Sequence, residues 1–228
     1  MKIAEIYKSI QGEGRLTGTA SVFVRASGCN LRCWFCDTPY ASWAPEGEDY
    51  AVDEIIAAIE EWDCRHVVLT GGEPMLFAEL IPLCRELRAR GRHITIETAG
   101  TLYLPAVCDL MSISPKLAGS GPDAAEHPRW RRRHERERLQ PGVLRRLMAE
   151  YDYQLKFVID QPGDVDEVAA LVDALPMVEP ERVLLMPQGR TAEELAERGA
   201  WLPRACAERG WTFCPRRQIE WFGAVRGT

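Results

Sequence analysis

The stretch SGCNLRCWFCDTPY, residues 27–40, places Cys29, Cys33 and Cys36 within eight residues and follows them with Asp37 and Thr38. Three thiols at C-x3-C-x2-C spacing, with no fourth cysteine beside them, need a reason. A structural zinc site takes four protein ligands in a closed tetrahedron, and the next histidine, His66, is far along the chain. An iron–sulfur cube takes one cysteine per iron, so three cysteines leave one iron open to another ligand. Gly28 frees the backbone ahead of the loop, while Trp34 and Phe35 within it suit the shielding of a compact cluster. Metal binding would keep the thiols deprotonated. On these residues a cluster is the favoured reading; zinc with a distant fourth ligand, or a non-catalytic iron–sulfur or zinc binding module, stays open.

Around this loop the composition is ordinary. The chain has 228 residues, 46% apolar and 27% charged, enough for one domain spanning residues 1–228 with a real core. A net charge of −6 argues against a nucleic-acid scaffold, which shows a basic surplus. No apolar run approaches the ~18 residues of a membrane span. The opening MKIAEIYKSIQGEG lacks the apolar centre of a signal peptide, so the expected compartment is the cytoplasm. Eight cysteines in a chain of this length do not make a disulfide scaffold. Cys64, Cys84, Cys108, Cys206 and Cys214 lie among apolar neighbours and read as buried, reduced thiols.

Strand and helix signals alternate along the chain. KIAEIYKS and SVFVRAS read as the first strands. VDEIIAAIEEW reads as a helix, RHVVLT as a buried strand, and MLFAELIPLCRELRARG as a helix closed by Gly91. HITIET and DLMSISP are strands with little room for a helix between them. PGVLRRLMAEY and DVDEVAALVDAL are helices leading to and from the strand YQLKFVID, and RVLLMP is a further strand. TAEELAERGAWLPRACAERG opens with a capping box at Thr191 and Glu194, and WTFCPRRQIEWFG is expected to close the sheet. Such alternation makes parallel βαβ units with ligands at the carboxyl ends of the strands. The segments there are GGEP, ETAG, SPK and MPQG, all polar or glycine-rich. Residues 119–142, polar and arginine-rich between prolines, are expected to form an irregular surface insertion. Arg131, Arg132 and Arg133 in it are candidates for docking an acidic redox partner or covering the site.

The cysteine spacing, together with TGGEP at residues 70–74, resembles the signature of radical S-adenosylmethionine enzymes. The resemblance implies a 4Fe–4S cluster on Cys29, Cys33 and Cys36. Its open iron is chelated by S-adenosylmethionine, whose reductive cleavage yields a hydrogen-abstracting 5′-deoxyadenosyl radical. Within that superfamily the chain is most similar to the 7-carboxy-7-deazaguanine synthase family. The similarity is carried by SIQGEG, FVRASGCNLRCWFCDT, VLTGGEP, ETAGT, SPK, QLKFVID and MPQG, over nearly the whole chain.

That likeness implies a shortened, incomplete (β/α)6 barrel of α/β class in a single domain, paired as a homodimer. It implies conversion of 6-carboxy-5,6,7,8-tetrahydropterin to 7-carboxy-7-deazaguanine with loss of ammonia, driven by a flavodoxin- or ferredoxin-type reductant. Ile10, Gln11, Gly12, Arg25 and Thr70 fall at substrate positions, and Arg25, Thr70 and Glu73 at catalytic ones. Phe35, Cys36, Asp37, Gly72, Ser114, Pro115, Lys116 and Gln188 fall at S-adenosylmethionine positions, and Thr38 at that of a magnesium ligand. An ion-pair role stays open for Glu73 and Lys116.

The residue chemistry agrees. A forked guanidinium at Arg25 can pair a carboxylate in two places, and backbone at Gly12 can approach a flat ring closely. Magnesium prefers oxygen ligands and binds through few protein groups plus its substrate. One departure concerns the C-terminal region, where the family pattern is an arginine soon followed by histidine; Arg217 and Gln218 stand there, and the last residues carry no assignment. A glycyl-radical-enzyme activating protein shares the cluster motif but acts on a protein, and has no need of IQGEG, Arg25 or Thr38.

Overall fold

The computed structural model describes residues 1–175 and 178–228. Its strands are β1 (Lys2–Ile10), β2 (Ala20–Ala26), β3 (Glu48–Asp49), β4 (His66–Gly71), β5 (His93–Thr98), β6 (Leu110–Ile113), β7 (Tyr153–Ile159), β8 (Val183–Pro187) and β9 (Thr212–Phe213). The helices are α1 (Pro39–Ser42), α2 (Val52–Glu60), α3 (Leu80–Ala89), α4 (Pro128–Glu137), α5 (Pro141–Glu150), α6 (Pro162–Ala174), α7 (Ala192–Gly199), α8 (Leu202–Ala207) and α9 (Arg217–Phe222).

β1 and β2 form an antiparallel hairpin, and β3 pairs antiparallel with the far side of β1. From β2 onward every neighbouring pair is parallel, giving the order β3-β1-β2-β4-β5-β6-β7-β8-β9. Parallel pairing needs long crossovers, which the helices supply. The sheet stays open, with β3 and β9 as its edges, as an incomplete barrel requires.

Helices α2, α3, α5, α6 and α8 pack their apolar sides against this sheet. Ile55, Ile56 and Ile59 of α2, Leu80, Leu83 and Leu87 of α3, and Leu144 and Leu147 of α5 are buried in one cluster. They share it with Val67, Leu69, Ile94, Ile96, Met111, Leu155 and Phe157 from the strands. Each such side chain contributes about 1.5–3 kcal/mol relative to remaining exposed. Side-chain acceptors fix several element starts. Glu54 Oε2 accepts from Ala51 N (2.7 Å), Asp109 Oδ2 from Ile94 N (2.8 Å), and Asp164 Oδ2 from Asp160 N (2.8 Å). Thr191 Oγ1 accepts from Glu194 N at 3.2 Å, while the Glu194 carboxylate reaches Arg190 N, one residue before the expected reciprocal partner. Gly91, at φ +69°, ends α3 as expected.

Four local expectations are corrected. The helix read over residues 75–91 starts only at Leu80, after a 3-10 turn at Pro74–Leu76. The helix read over residues 191–210 breaks between α7 and α8, where Pro203 cannot continue the preceding turn. Residues 211–223 close the sheet with two residues only; Pro215 follows and the chain turns into α9. Finally, the segment expected to be irregular forms α4. Pro128 at its first turn suits a helix start, Arg133 and Glu137 pair across one turn (3.1 Å), and His134 is buried beneath it.

All eight cysteines are free. Burial pushes Cys108 up to about 12, and Cys206 and Cys214 up to about 11, the behaviour of inert thiols. Among the described residues no helix is long and apolar enough to cross a membrane.

Candidate active site

The strand register sets Arg25 beside Thr70, Ala26 beside Gly71, and Thr98 beside Ile113. The carboxyl ends of the parallel strands therefore open side by side on a cavity of about 380 Å³. The cysteine loop leaves β2 and is pinned at once to the Gly-Gly-Glu-Pro turn. Gly28 N donates to Ala41 O (2.8 Å), and Gly28 O accepts from Glu73 N (2.8 Å). A Cβ on Gly72 would stand 2.1 Å from Gly28 O, so only glycine allows this approach. Asn30 Nδ2 donates to Thr101 Oγ1 (3.0 Å) and Trp43 Nε1 to Cys33 O (3.0 Å), fixing the loop further.

Cys29, Cys33 and Cys36 all line the cavity. Burial pushes Cys29 and Cys33 up to about 12, with nearby Glu73 adding to the effect at Cys29. Those thiols ionise only where a cation meets them. Among the described residues no three His, Cys, Asp or Glu side chains converge as ligands of a single metal ion. The donor set is three soft sulfurs lining one cavity without converging on a point, which suits an iron–sulfur cluster and not a mononuclear zinc centre. Ser42 Oγ lies 3.1 Å from Cys36 Sγ, and Thr38 Oγ1 lies 3.8 Å from the same sulfur.

The same cavity is lined by a buried charge network. Glu13 accepts from Lys156 Nζ (2.5 Å), Arg216 Nε (3.0 Å) and Gln218 Nε2 (2.6 Å). Burial disfavours its charge, yet Lys156 and Arg216 hold its carboxyl well below the usual range. Lys156 is disfavoured by burial in the same way and is kept charged by Glu13 and Glu97. Arg216 also pairs with Asp37, lowering that carboxyl against its burial, and donates to Gly189 O (2.7 Å). Glu97 accepts from Gln11 Nε2 (3.2 Å) and Thr70 Oγ1 (2.7 Å). Arg25 donates to Glu5 Oε1 (2.6 Å) and Tyr7 Oη (2.7 Å). Its fork is thus half committed, with Nη1 left without a protein partner among the described residues.

Most residues singled out from the sequence meet here. Ile10, Gln11, Gly12, Arg25, Phe35, Cys36, Asp37, Thr38, Thr70, Gly72, Ser114, Lys116 and Gln188 all line the cavity. Lys116 Nζ donates to Ser114 Oγ (2.8 Å), and the buried Gln188 Oε1 has no partner among the described residues. Two residues lie elsewhere. Glu73, expected among the catalytic groups, is fully buried off the cavity. Its carboxylate accepts from Thr98 Oγ1 (2.8 Å), Ala99 N (2.8 Å) and Met75 N (3.1 Å), which makes it a brace between β4 and β5. Pro115 faces a smaller adjoining pocket of about 30 Å³ with Phe35, Lys116 and Asp160.

Glu13, Glu97, Lys156 and Arg216 escaped the sequence reading, although three of them stand inside motifs quoted above. At the C-terminal departure it is Arg216 that turns inward; Arg217 turns out to Glu220. Residues 224–228, left unassigned from sequence, also line the cavity.

The radical SAM superfamily profile matches residues 23–141. The chain is 47% identical over 227 residues to a 7-carboxy-7-deazaguanine synthase from Rhodopirellula baltica, covering 99% of this chain and 88% of that protein. It is 43% identical over 229 residues to the enzyme of the same name from Halobacterium salinarum, covering 96% and 89%. In fold it matches the crystal structure of QueE from Escherichia coli with a TM-score of 0.71 at 23% identity, over 94% of this chain and 92% of that one. The three-cysteine loop, the strand-end cavity and these identities over almost the full chain agree: the chain belongs to the 7-carboxy-7-deazaguanine synthase family of the radical SAM superfamily.

Proposed function

We propose that this cavity converts 6-carboxy-5,6,7,8-tetrahydropterin to 7-carboxy-7-deazaguanine with loss of ammonia. The observation that carries the reading is one cavity of about 380 Å³ lined both by the three cysteines and by fixed charges of both signs. Bound on Cys29, Cys33 and Cys36, a 4Fe–4S cluster with S-adenosylmethionine supplies one-electron chemistry that removes a hydrogen atom from a carbon too weakly acidic for a general base. The protein's own task is position.

Arg25 and Thr38 would hold the substrate carboxylate, Thr38 through a magnesium ion with oxygen ligands. Gln11 and Thr70 are oriented by Glu97, and backbone at Ile10 and Gly12 borders the flat ring. Asp37, Gly72, Ser114, Lys116 and Gln188 would take S-adenosylmethionine, Gln188 with an otherwise unpartnered carbonyl. Glu13 and Asp37 balance Lys156 and Arg216, so this part of the lining is charged but internally neutralised, which favours a polar heterocycle with its own donors and acceptors. Exposed Trp221, Phe222 and Val225 support pairing into a homodimer, and eight free cysteines suit the cytoplasm. A flavodoxin- or ferredoxin-type protein would supply the electron. No observation favours a glycyl-radical activating enzyme or a non-catalytic module.

The test is anaerobic reconstitution followed by incubation with the carboxytetrahydropterin. Formation of 7-carboxy-7-deazaguanine with S-adenosylmethionine recovered intact is expected. A cluster-loaded protein that leaves the pterin unchanged overturns the reading, as does stoichiometric consumption of S-adenosylmethionine.

A further inference from the structure

The arginine-rich segment holds a side chain that no surface loop would bury. His134 on α4 is wholly inaccessible, and both its ring nitrogens are used. Arg32 N lies 3.1 Å from Nδ1, and a backbone amide can only donate, so Nδ1 carries no proton. Nε2–H then donates to Ser120 Oγ (2.9 Å), which in turn donates to Leu117 O (2.6 Å). Arg32 stands directly before Cys33, within the span that begins at Cys29. Its guanidinium donates to Cys29 O (2.8 Å) and lies 3.9 Å from the centre of the Trp130 ring, one turn before His134 on the same helix. Ser120 O accepts from Trp34 N (3.1 Å), inside the second span of the loop. One imidazole therefore ties α4 and the Leu117–Ser120 turn to both halves of the cysteine loop.

We propose that His134 is a positioning residue for the cysteine loop, holding the Arg32 amide on Nδ1 so that Cys29 and Cys33 keep the separation a cluster needs. The inference rests on the reading of these cysteines as cluster ligands. Engaged by the imidazole, the Arg32 N–H is held away from the cysteine loop's interior; released, it would be a free donor beside the cluster ligands, the kind of group that tunes a cluster's reduction potential.

The experiment compares His134→Phe, His134→Asn and His134→Gln with the parent. Readouts are iron and sulfide per chain after anaerobic reconstitution, the fraction of cluster reduced at a fixed dithionite poise, and hydrogen exchange of the loop in metal-free protein. In His134→Phe, iron content is expected to fall at least about twofold and loop exchange to rise about tenfold or more. Asparagine can present its carbonyl where Nδ1 stood and restores the parental values; glutamine reaches only the Nε2 side and does not. A folded His134→Phe with parental iron, exchange and reduced fraction overturns the proposal. If that variant does not fold, equal behaviour of the asparagine and glutamine variants overturns it. A parent that takes up no cluster overturns the underlying cofactor reading instead, and is seen before any variant is made.

Discussion

Glu13 and Arg216, 203 residues apart in sequence, meet at 3.0 Å inside the cavity, with Lys156 on the other side of the same carboxylate. The contact joins the loop after the first strand to the residues before the last helix. Removing Arg216 leaves Glu13 and Asp37 without their shared cation. Breaking a buried pair from one side costs about 3–5 kcal/mol, so Arg216→Leu should lower unfolding free energy by that order in denaturant titration. A loss under about 1 kcal/mol would show the network to be well hydrated.

Cys36→Ser keeps the volume of the side chain and its neighbour Ser42 while removing a soft ligand. Iron content and activity should collapse, with thermal unfolding of the metal-free protein within about 2 °C of the parent. Retention of a full cluster in this variant would assign the ligand elsewhere.

Thr38→Ala should lower turnover at limiting magnesium by about tenfold and flatten the magnesium titration, since one of few protein oxygen ligands is lost. An unchanged titration curve would remove Thr38 from the metal.

Burial pushes His134 down to about 4 from the ordinary 6.5, with Arg138 adding to the effect. The unfolded chain therefore binds a proton that the folded protein refuses between pH 6.5 and 4. Stability contributed by the neutral imidazole is present above 6.5 and is lost as pH falls toward 4, by up to about 3 kcal/mol. Urea titrations of the metal-free protein should show this slope, and His134→Asn should flatten it by one proton; identical slopes would contradict the burial effect.

Arg129 and Arg132 are exposed on α4 and make no ion pair among the described residues, on a chain of net charge −6. Reversing both to glutamate should slow turnover driven by an acidic flavodoxin by about tenfold at low salt. Turnover driven by dithionite should be unaffected. Equal losses with both reductants would mean that the helix itself had been damaged.

Strands and most helices were legible because their apolar period survives in local sequence. So were the groups whose chemistry is stated by spacing, above all Cys29, Cys33 and Cys36. The buried charge network was not. Lys156 and Glu97 sit on strands where a lone charge reads as solvent-facing, and only the register that brings Glu13 to Lys156 turns them inward. Glu73 misled for the opposite reason: its motif is recognisable, but whether the carboxylate faces a ligand or Thr98 is decided by the close contact of Gly72 and Gly28. α4 was hidden by composition, since arginine-rich sequence looks solvated until Trp130 and His134 are seen to share its inner face.

Because β3 and β9 never pair, the loops after β1 and β2 meet the segment after β9 through a backbone hydrogen bond, Arg217 N to Gly12 O (3.0 Å), and through the ion pairs of Arg216 with Glu13 and Asp37. Widening such a seam asks for new rotamers and one exchanged backbone bond, whereas widening a closed ladder asks for broken strands. The architecture is thus evolvable at one margin: chambers for bulkier heterocycles can arise there by substitution, while the cysteine-bearing side stays rigid.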